Sequence, residues 1–229
     1  MDTAHRLIAA VSTALLAVAM PAVATAREST PSEEEAVEEA PWPPENTHGQ
    51  FLPLPEEALQ PITVPACGTE VTVSIGENDE TVHRVWVTDT GDTVIELRGK
   101  ASFDLMRASD GATLDEVELD GAAFQTISAD GTTVTFDQFG PGLLMSETEE
   151  SAALSAGAGL PEDFLFLDGR FTATVTFDPE TLDEAGFPAV VSAEITENIT
   201  EYVFDVCDLL DQAAAGEQPD LPEPSDQAG

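Results

Sequence analysis

The sequence predicts an all-β fold: an antiparallel β-sandwich or barrel-like single domain with disordered acidic termini. Three observations predict it. Apolar residues recur at a period near two between positions 67 and 210, Asp-Gly pairs punctuate the extended runs, and Cys67 and Cys207 border the patterned region.

The periodicity is clearest where Val71, Val73 and Ile75 alternate with Thr72 and Ser74. It recurs where Phe171, Ala173, Val175 and Phe177 alternate with threonines. Such runs bury one face and wet the other. Further strands are expected at 82–87, 93–97, 102–107, 114–119, 123–127, 133–139, 190–195 and 201–206. Asp110-Gly111, Asp120-Gly121, Asp130-Gly131 and Asp168-Gly169 lie between extended runs, where glycine supplies the positive φ of a tight hairpin. Their spacing suggests an antiparallel meander, and short strands at this spacing suit a sandwich or a barrel.

Residues 146–161 interrupt the pattern with Glu147, Glu149 and Glu150 and then an Ala-Gly-rich stretch, which reads as a mobile surface loop. Residues 179–186 suggest one short helical turn capped by Asp178 or Thr181.

The ends differ in composition. Residues 1–26 have a charged start, an apolar run at 7–20 too short to span a bilayer, and Ala24-Thr25-Ala26, small residues of the kind a signal peptidase reads. Cleavage before Arg27 and a secreted, extracellular location follow, with no membrane attachment afterwards. Residues 27–65 are rich in Glu and Pro and are expected to be disordered, although Trp42, Phe51, Leu52 and Leu54 are apolar groups able to dock. The β domain is placed at 66–211 and a fraying tail at 212–229.

Charge is the most extreme property: 45 acidic residues face seven basic ones, a formal net charge of −38 at pH 7. Nucleic acid and anionic membranes are excluded as partners, while cations and basic extracellular proteins are favoured. Export places Cys67 and Cys207 in an oxidising compartment, so a disulfide between them is expected.

Catalytic machinery is sparse. The mature chain has only His48 and His83, and His83 shares strand parity with Val85 and Val87, which points it toward the packed face. No serine sits in a nucleophile-elbow pattern, and the many acids single out no pair, so no catalytic residue and no cofactor are assigned. Asp89 and Asp92, with the intervening Gly91, form an oxygen-rich turn that is the one weak metal candidate, without EF-hand spacing. Arg84 and Arg98 flank one hairpin and are candidates for an anion site, although surface ion pairs are the commoner result. Asn198-Ile199-Thr200 matches a glycosylation sequon.

Four segments in order carry a resemblance: Cys67-Gly68; Phe124-Gln125-Thr126 with Asp130-Gly131-Thr132-Thr133-Val134; Gly169-Arg170-Phe171-Thr172-Ala173-Thr174-Val175; and Asp205-Val206-Cys207-Asp208-Leu209-Leu210. In these the chain resembles uncharacterised small secreted actinobacterial proteins with a disulfide-closed β domain. The resemblance implies a fold and export, and no catalytic residues. The function expected is a secreted non-enzymatic β-sandwich module with a binding or cell-surface role. The alternatives are an exported hydrolase using paired carboxylates and a cation-binding or salt-adapted extracellular protein.

Overall fold

The structure, a computed structural model, describes residues 46–146, 149–182 and 188–219. The expected export signal at 1–26, residues 27–45 of the acidic segment and residues 220–229 lie outside the described residues.

The described chain carries fourteen strands and two α-helices. A seven-stranded sheet has the order β1 (Leu52–Pro53), β4 (Val82–Val87), β5 (Thr93–Arg98), β8 (Ala122–Ile127), β9 (Thr133–Phe139), β12 (Arg170–Leu182), β13 (Pro188–Asn198). A four-stranded sheet is ordered β2 (Ile62–Ala66), β3 (Thr69–Asp79), β6 (Ala101–Arg107), β7 (Thr113–Leu119). A three-stranded sheet is ordered β10 (Gly142–Leu144), β11 (Phe164–Asp168), β14 (Glu201–Asp205). Neighbouring strands are antiparallel throughout. The helices are α1 (Glu149–Gly157) and α2 (Val206–Ala214).

The three sheets are joined because long strands bend from one into another. β3 runs into β4, β5 into β6 and β7 into β8 through two-residue links, connecting the four-stranded and seven-stranded sheets. β9 likewise runs into β10, β11 into β12 and β13 into β14, connecting the seven-stranded and three-stranded sheets. The seven-stranded sheet therefore divides beyond the paired β8 and β9. Glycine permits the sharpest bends. At Gly99 (φ +127°) a Cβ would sit 2.3 Å from the Glu80 carbonyl oxygen, and at Gly169 (φ +93°) 2.0 Å from that of Ile199.

In the three-stranded sheet β10 and β11 are buried on both faces. β11 reads Phe-Leu-Phe-Leu: Phe164 and Phe166, with Leu144 of β10, enter a core with Val134, Phe136, Phe171, Val175 and Phe177 of the seven-stranded side. Leu165 and Leu167, with Leu143 of β10, enter a second core with Val71, Val73, Phe103 and Leu105 of the four-stranded sheet and with Val206, Leu209 and Leu210 of α2. A strand covered on two faces is written as a continuous apolar run and not as an alternation.

Ten expected strands coincide with β3–β9 and β12–β14. Four expectations change. Residues 62–65, placed in the disordered segment, join Ala66 in β2, and Thr47 clips the preceding chain to β4 by donating its N–H to the Val85 carbonyl at 3.0 Å. The loop expected at 146–161 contains α1, whose Ser151 and Ser155 are buried one turn apart. Its end is closed by Leu160 N–H donating to Ser155 O and Gly159 N–H to Ala156 O, with buried Leu160 completing the cap. The helical turn expected at 179–186 is strand as far as Leu182, where Asp178 accepts from Glu180 N and Thr181 Oγ1; residues 183–187 lie outside the described residues. Asp120-Gly121 and Asp168-Gly169 are bends between sheets and not hairpins, whereas Asp110-Gly111 and Asp130-Gly131 close the β6–β7 and β8–β9 hairpins.

Candidate functional site

Side chains facing away from the core on the seven-stranded sheet form three rows across its strands. Strand pairing aligns Arg84, Glu96, Phe124, Asp137, Thr172 and Glu197 in one row. A second row holds Val82, Arg98, Ala122, Phe139 and Arg170, and a third Trp86, Val94, Thr126, Thr135, Thr174 and Glu194. Phe51, just before β1, extends the first row: the Arg84 guanidinium lies 4.6 Å from its ring centroid. The strands that carry these groups are fixed on their opposite side by Val85, Ile95, Val134, Phe136, Ala173 and Val175, all buried.

Three of the five basic residues between Cys67 and Cys207 stand on this face, each stacked on a ring and paired with a carboxylate. Arg84 lies over Phe51 and, at 4.7 Å, over Trp86, and it contacts Glu96 at 2.5 Å. Arg98 stacks on Phe51 at 3.9 Å and reaches Glu96 at 3.8 Å, so that carboxylate, only 3% exposed, answers two guanidinium groups. Arg170 binds Asp137 through Nε and Nη2, both at 2.6 Å, and Glu197 through Nη1 at 2.9 Å, while lying 5.2 Å over the Phe139 ring. The hydrogen bonds that Arg170 donates to Asp137 raise its pKa above the ordinary value, so the cation is permanent. Phe124 meets Phe139 edge to face at 6.0 Å, and Phe139 is 38% exposed. The Thr135 and Thr174 hydroxyls lie 3.3 Å apart. The result is a surface of exposed ring, paired ions and hydroxyls, suited to stacking and to bidentate hydrogen bonding.

A second polar cluster lies around the disulfide. Cys67 and Cys207 are bonded, with Cα atoms 5.2 Å apart. Cys67 occupies the β2–β3 turn with φ +53°, and Cys207 lies in the first turn of α2, where Asp205 caps the helix by accepting from the N–H groups of Cys207 and Asp208. Asp163, 1% exposed, accepts from Ser146 N–H at 2.8 Å and Cys67 N–H at 3.2 Å, and burial pushes its carboxyl up to about 6 against those two bonds. Its Oδ2 lies 3.7 Å from Cys207 Sγ, a contact only, because a disulfide sulfur has no proton to donate. Among the described residues this is the one convergence of three potential metal-ligand groups. Its sulfurs are spent in the disulfide, so it is a structural joint. Arg107, bonded to Asp110 and Asp211, ties the other end of α2 to the β6–β7 hairpin.

The remaining sequence candidates are dispersed. Asp92 braces two hairpin turns, its Oδ1 accepting from Ala129 N–H and its Oδ2 from the Thr90 hydroxyl, and among the described residues no third ligand group converges on it and Asp89. Arg84 and Arg98 do share one locality, gathered on the Glu96 carboxylate. His83 is half-buried, with Nδ1 enclosed and unbonded among the described residues, and faces the same way as buried Val85. Asn198 accepts from the N–H and hydroxyl of Thr200 in the link between β13 and β14. A cavity of about 30 Å3 where the sheet divides, lined by Thr81, Gly99, Gly121, Gln138 and Phe139, has room for about one water and not for a substrate.

Sequence reasoning missed the face as a unit. Its members lie at 51, 84–98, 122–139 and 170–197, and only strand pairing aligns them. The available signal was parity: Arg84 and Trp86, Glu96 and Arg98, Asp137 and Phe139 sit at odd spacing from the core residues of their own strands. Comparison with protein-family models, curated proteins and solved structures gives no match.

Proposed function

We propose that the protein is an exported, non-enzymatic binding module that holds its ligand on the outer face of the seven-stranded sheet. The observation that carries the reading is the gathering of Arg84, Arg98 and Arg170 with Phe51, Trp86, Phe124 and Phe139 on one rigid face of a chain whose net charge is −38. Ion pairs on a strongly acidic surface need no aromatic platform; a docking surface does, because rings and guanidinium groups dominate binding energy elsewhere. Kinship with small secreted actinobacterial proteins, and cleavage before Arg27, belong to the same reading. Glu96, Asp137 and Glu197 on the face are each bound to arginine, which favours a docking role over the acid and base of glycoside hydrolysis.

Fluorescently labelled mature protein, beginning at Arg27, is to be mixed with cell envelopes of the producing organism and compared with Phe139→Ala/Arg170→Ala, with folding of both checked by circular dichroism. Sedimentation of the wild type and loss of most of it in the double variant is expected. Equal binding by both overturns the face as the site.

A further inference from the structure

We infer that the ligand of this face is an uncharged polysaccharide segment lying across the strands, with sugar C–H faces against Phe139 and the Trp86–Phe51 end and hydroxyls on the Arg170–Asp137–Glu197 group. The inference rests on the outer face being the binding surface.

Charge argues for an uncharged partner. Arg84 and Arg98 share Glu96 while Arg170 binds both Asp137 and Glu197, so three cations meet three carboxylates, and Glu194 is the one further charge among the aligned residues, leaving little net charge to complement. An anionic partner would approach a molecule of net charge −38, and a cationic one would find better sites on the rest of the acid-rich surface than where the cations are gathered.

The groups on offer narrow the chemistry. An exposed ring edged by a bidentate Arg–Asp pair matches a sugar ring, which presents an apolar C–H face and, at its rim, adjacent hydroxyls that donate to carboxylate and accept from guanidinium. Arg170 keeps a second carboxylate, Glu197, which is 39% exposed and open to a ligand hydroxyl. Thr126, Thr135 and Thr174 add hydroxyls along the neighbouring row. Shape argues for a polymer: seven strands span about 29 Å between the outermost strand axes, the length of several sugar units.

Envelopes prepared as above are to be treated with periodate, which cleaves vicinal diols of sugars, or with protease, before binding. In parallel, the mature protein is to be run in native gels containing a neutral β-glucan, a neutral mannan, a neutral arabinogalactan or anionic polygalacturonate. The inference expects periodate to abolish envelope binding, protease to leave it, and at least one neutral polysaccharide to retard the protein. Phe139→Ala should weaken that retardation roughly tenfold, with Phe139→Tyr, which keeps the ring, close to wild type. Binding that is lost with protease but survives periodate, retardation by polygalacturonate alone, or no retardation by any neutral polymer overturns the glycan. Those outcomes leave the binding face standing if the double variant still fails to sediment, so the two failures are separable.

Discussion

Replacing Asp163 by asparagine isolates the cost of a buried carboxylate beside the disulfide. Asp163 is 1% exposed and its carboxyl is pushed from 3.8 to about 6, burial outweighing the bonds from Ser146 and Cys67, with Glu162 and Asp205 adding repulsion. At 1.36 kcal/mol per pH unit, a shift of this size makes the ionised form cost about 3 kcal/mol. The sign follows from proton binding: between about pH 4 and pH 6 the folded state holds the proton and the unfolded state releases it, so this group lowers stability as pH rises through that window. An asparagine side chain in its place cannot ionise, and although it surrenders one of the two accepted hydrogen bonds, that loss does not change with pH. Asp110, Asp130 and Asp178, held below their ordinary values by their hydrogen bonds, titrate identically in both proteins and cancel in the difference. Urea unfolding of both proteins from pH 4 to pH 7 should show wild type gaining about 3 kcal/mol relative to Asp163→Asn at the acid end. Parallel stability curves would refute the buried-carboxylate argument.

Three further outcomes follow from the fold. Cys67→Ala/Cys207→Ala opens a link spanning 140 residues and should lose roughly 2–5 kcal/mol in the same assay, unchanged stability showing that the bond does not restrain the unfolded chain. Gly169→Ala, whose Cβ would meet the Ile199 carbonyl oxygen, should abolish folding or lower the midpoint far more than Gly111→Ala, whose Cβ meets nothing within 4 Å; similar losses would count against the bend. Between Cys67 and Asp211, 31 acidic residues outnumber five basic ones, so NaCl should raise Tm and CaCl2 should add little beyond its screening. A saturable rise at micromolar calcium would instead assign a site to Asp89 and Asp92.

The fold was legible where one strand face is wet. Val71, Val73, Phe171 and Val175 alternate with threonines because water covers the other face, and the turn glycines mark the β6–β7 and β8–β9 hairpins. It was illegible where both faces are covered: β10 and β11 are unbroken apolar runs without a period, and β11 lies behind the segment expected to be loop. The helix α1 hid because its buried residues are the serines Ser151 and Ser155, a residue type that also composes loops. Cys67 and Cys207 were legible as a pair because no third cysteine competes, whereas Asp163, drawn between them by the fold, carries no sequence mark among so many acids. The candidate face depends on register across six strand pairs, which local pattern does not encode.

The central claim is that ligand meets the outer face of the seven-stranded sheet. Amide chemical-shift mapping of isotope-labelled mature protein, titrated with a neutral polysaccharide that retards it, tests this directly. Shifts should concentrate at Phe51, Trp86, Phe124, Phe139 and Arg170 and leave Cys67, Asp163 and Cys207 unmoved. Shifts centred on the four-stranded sheet or on the disulfide end would contradict it.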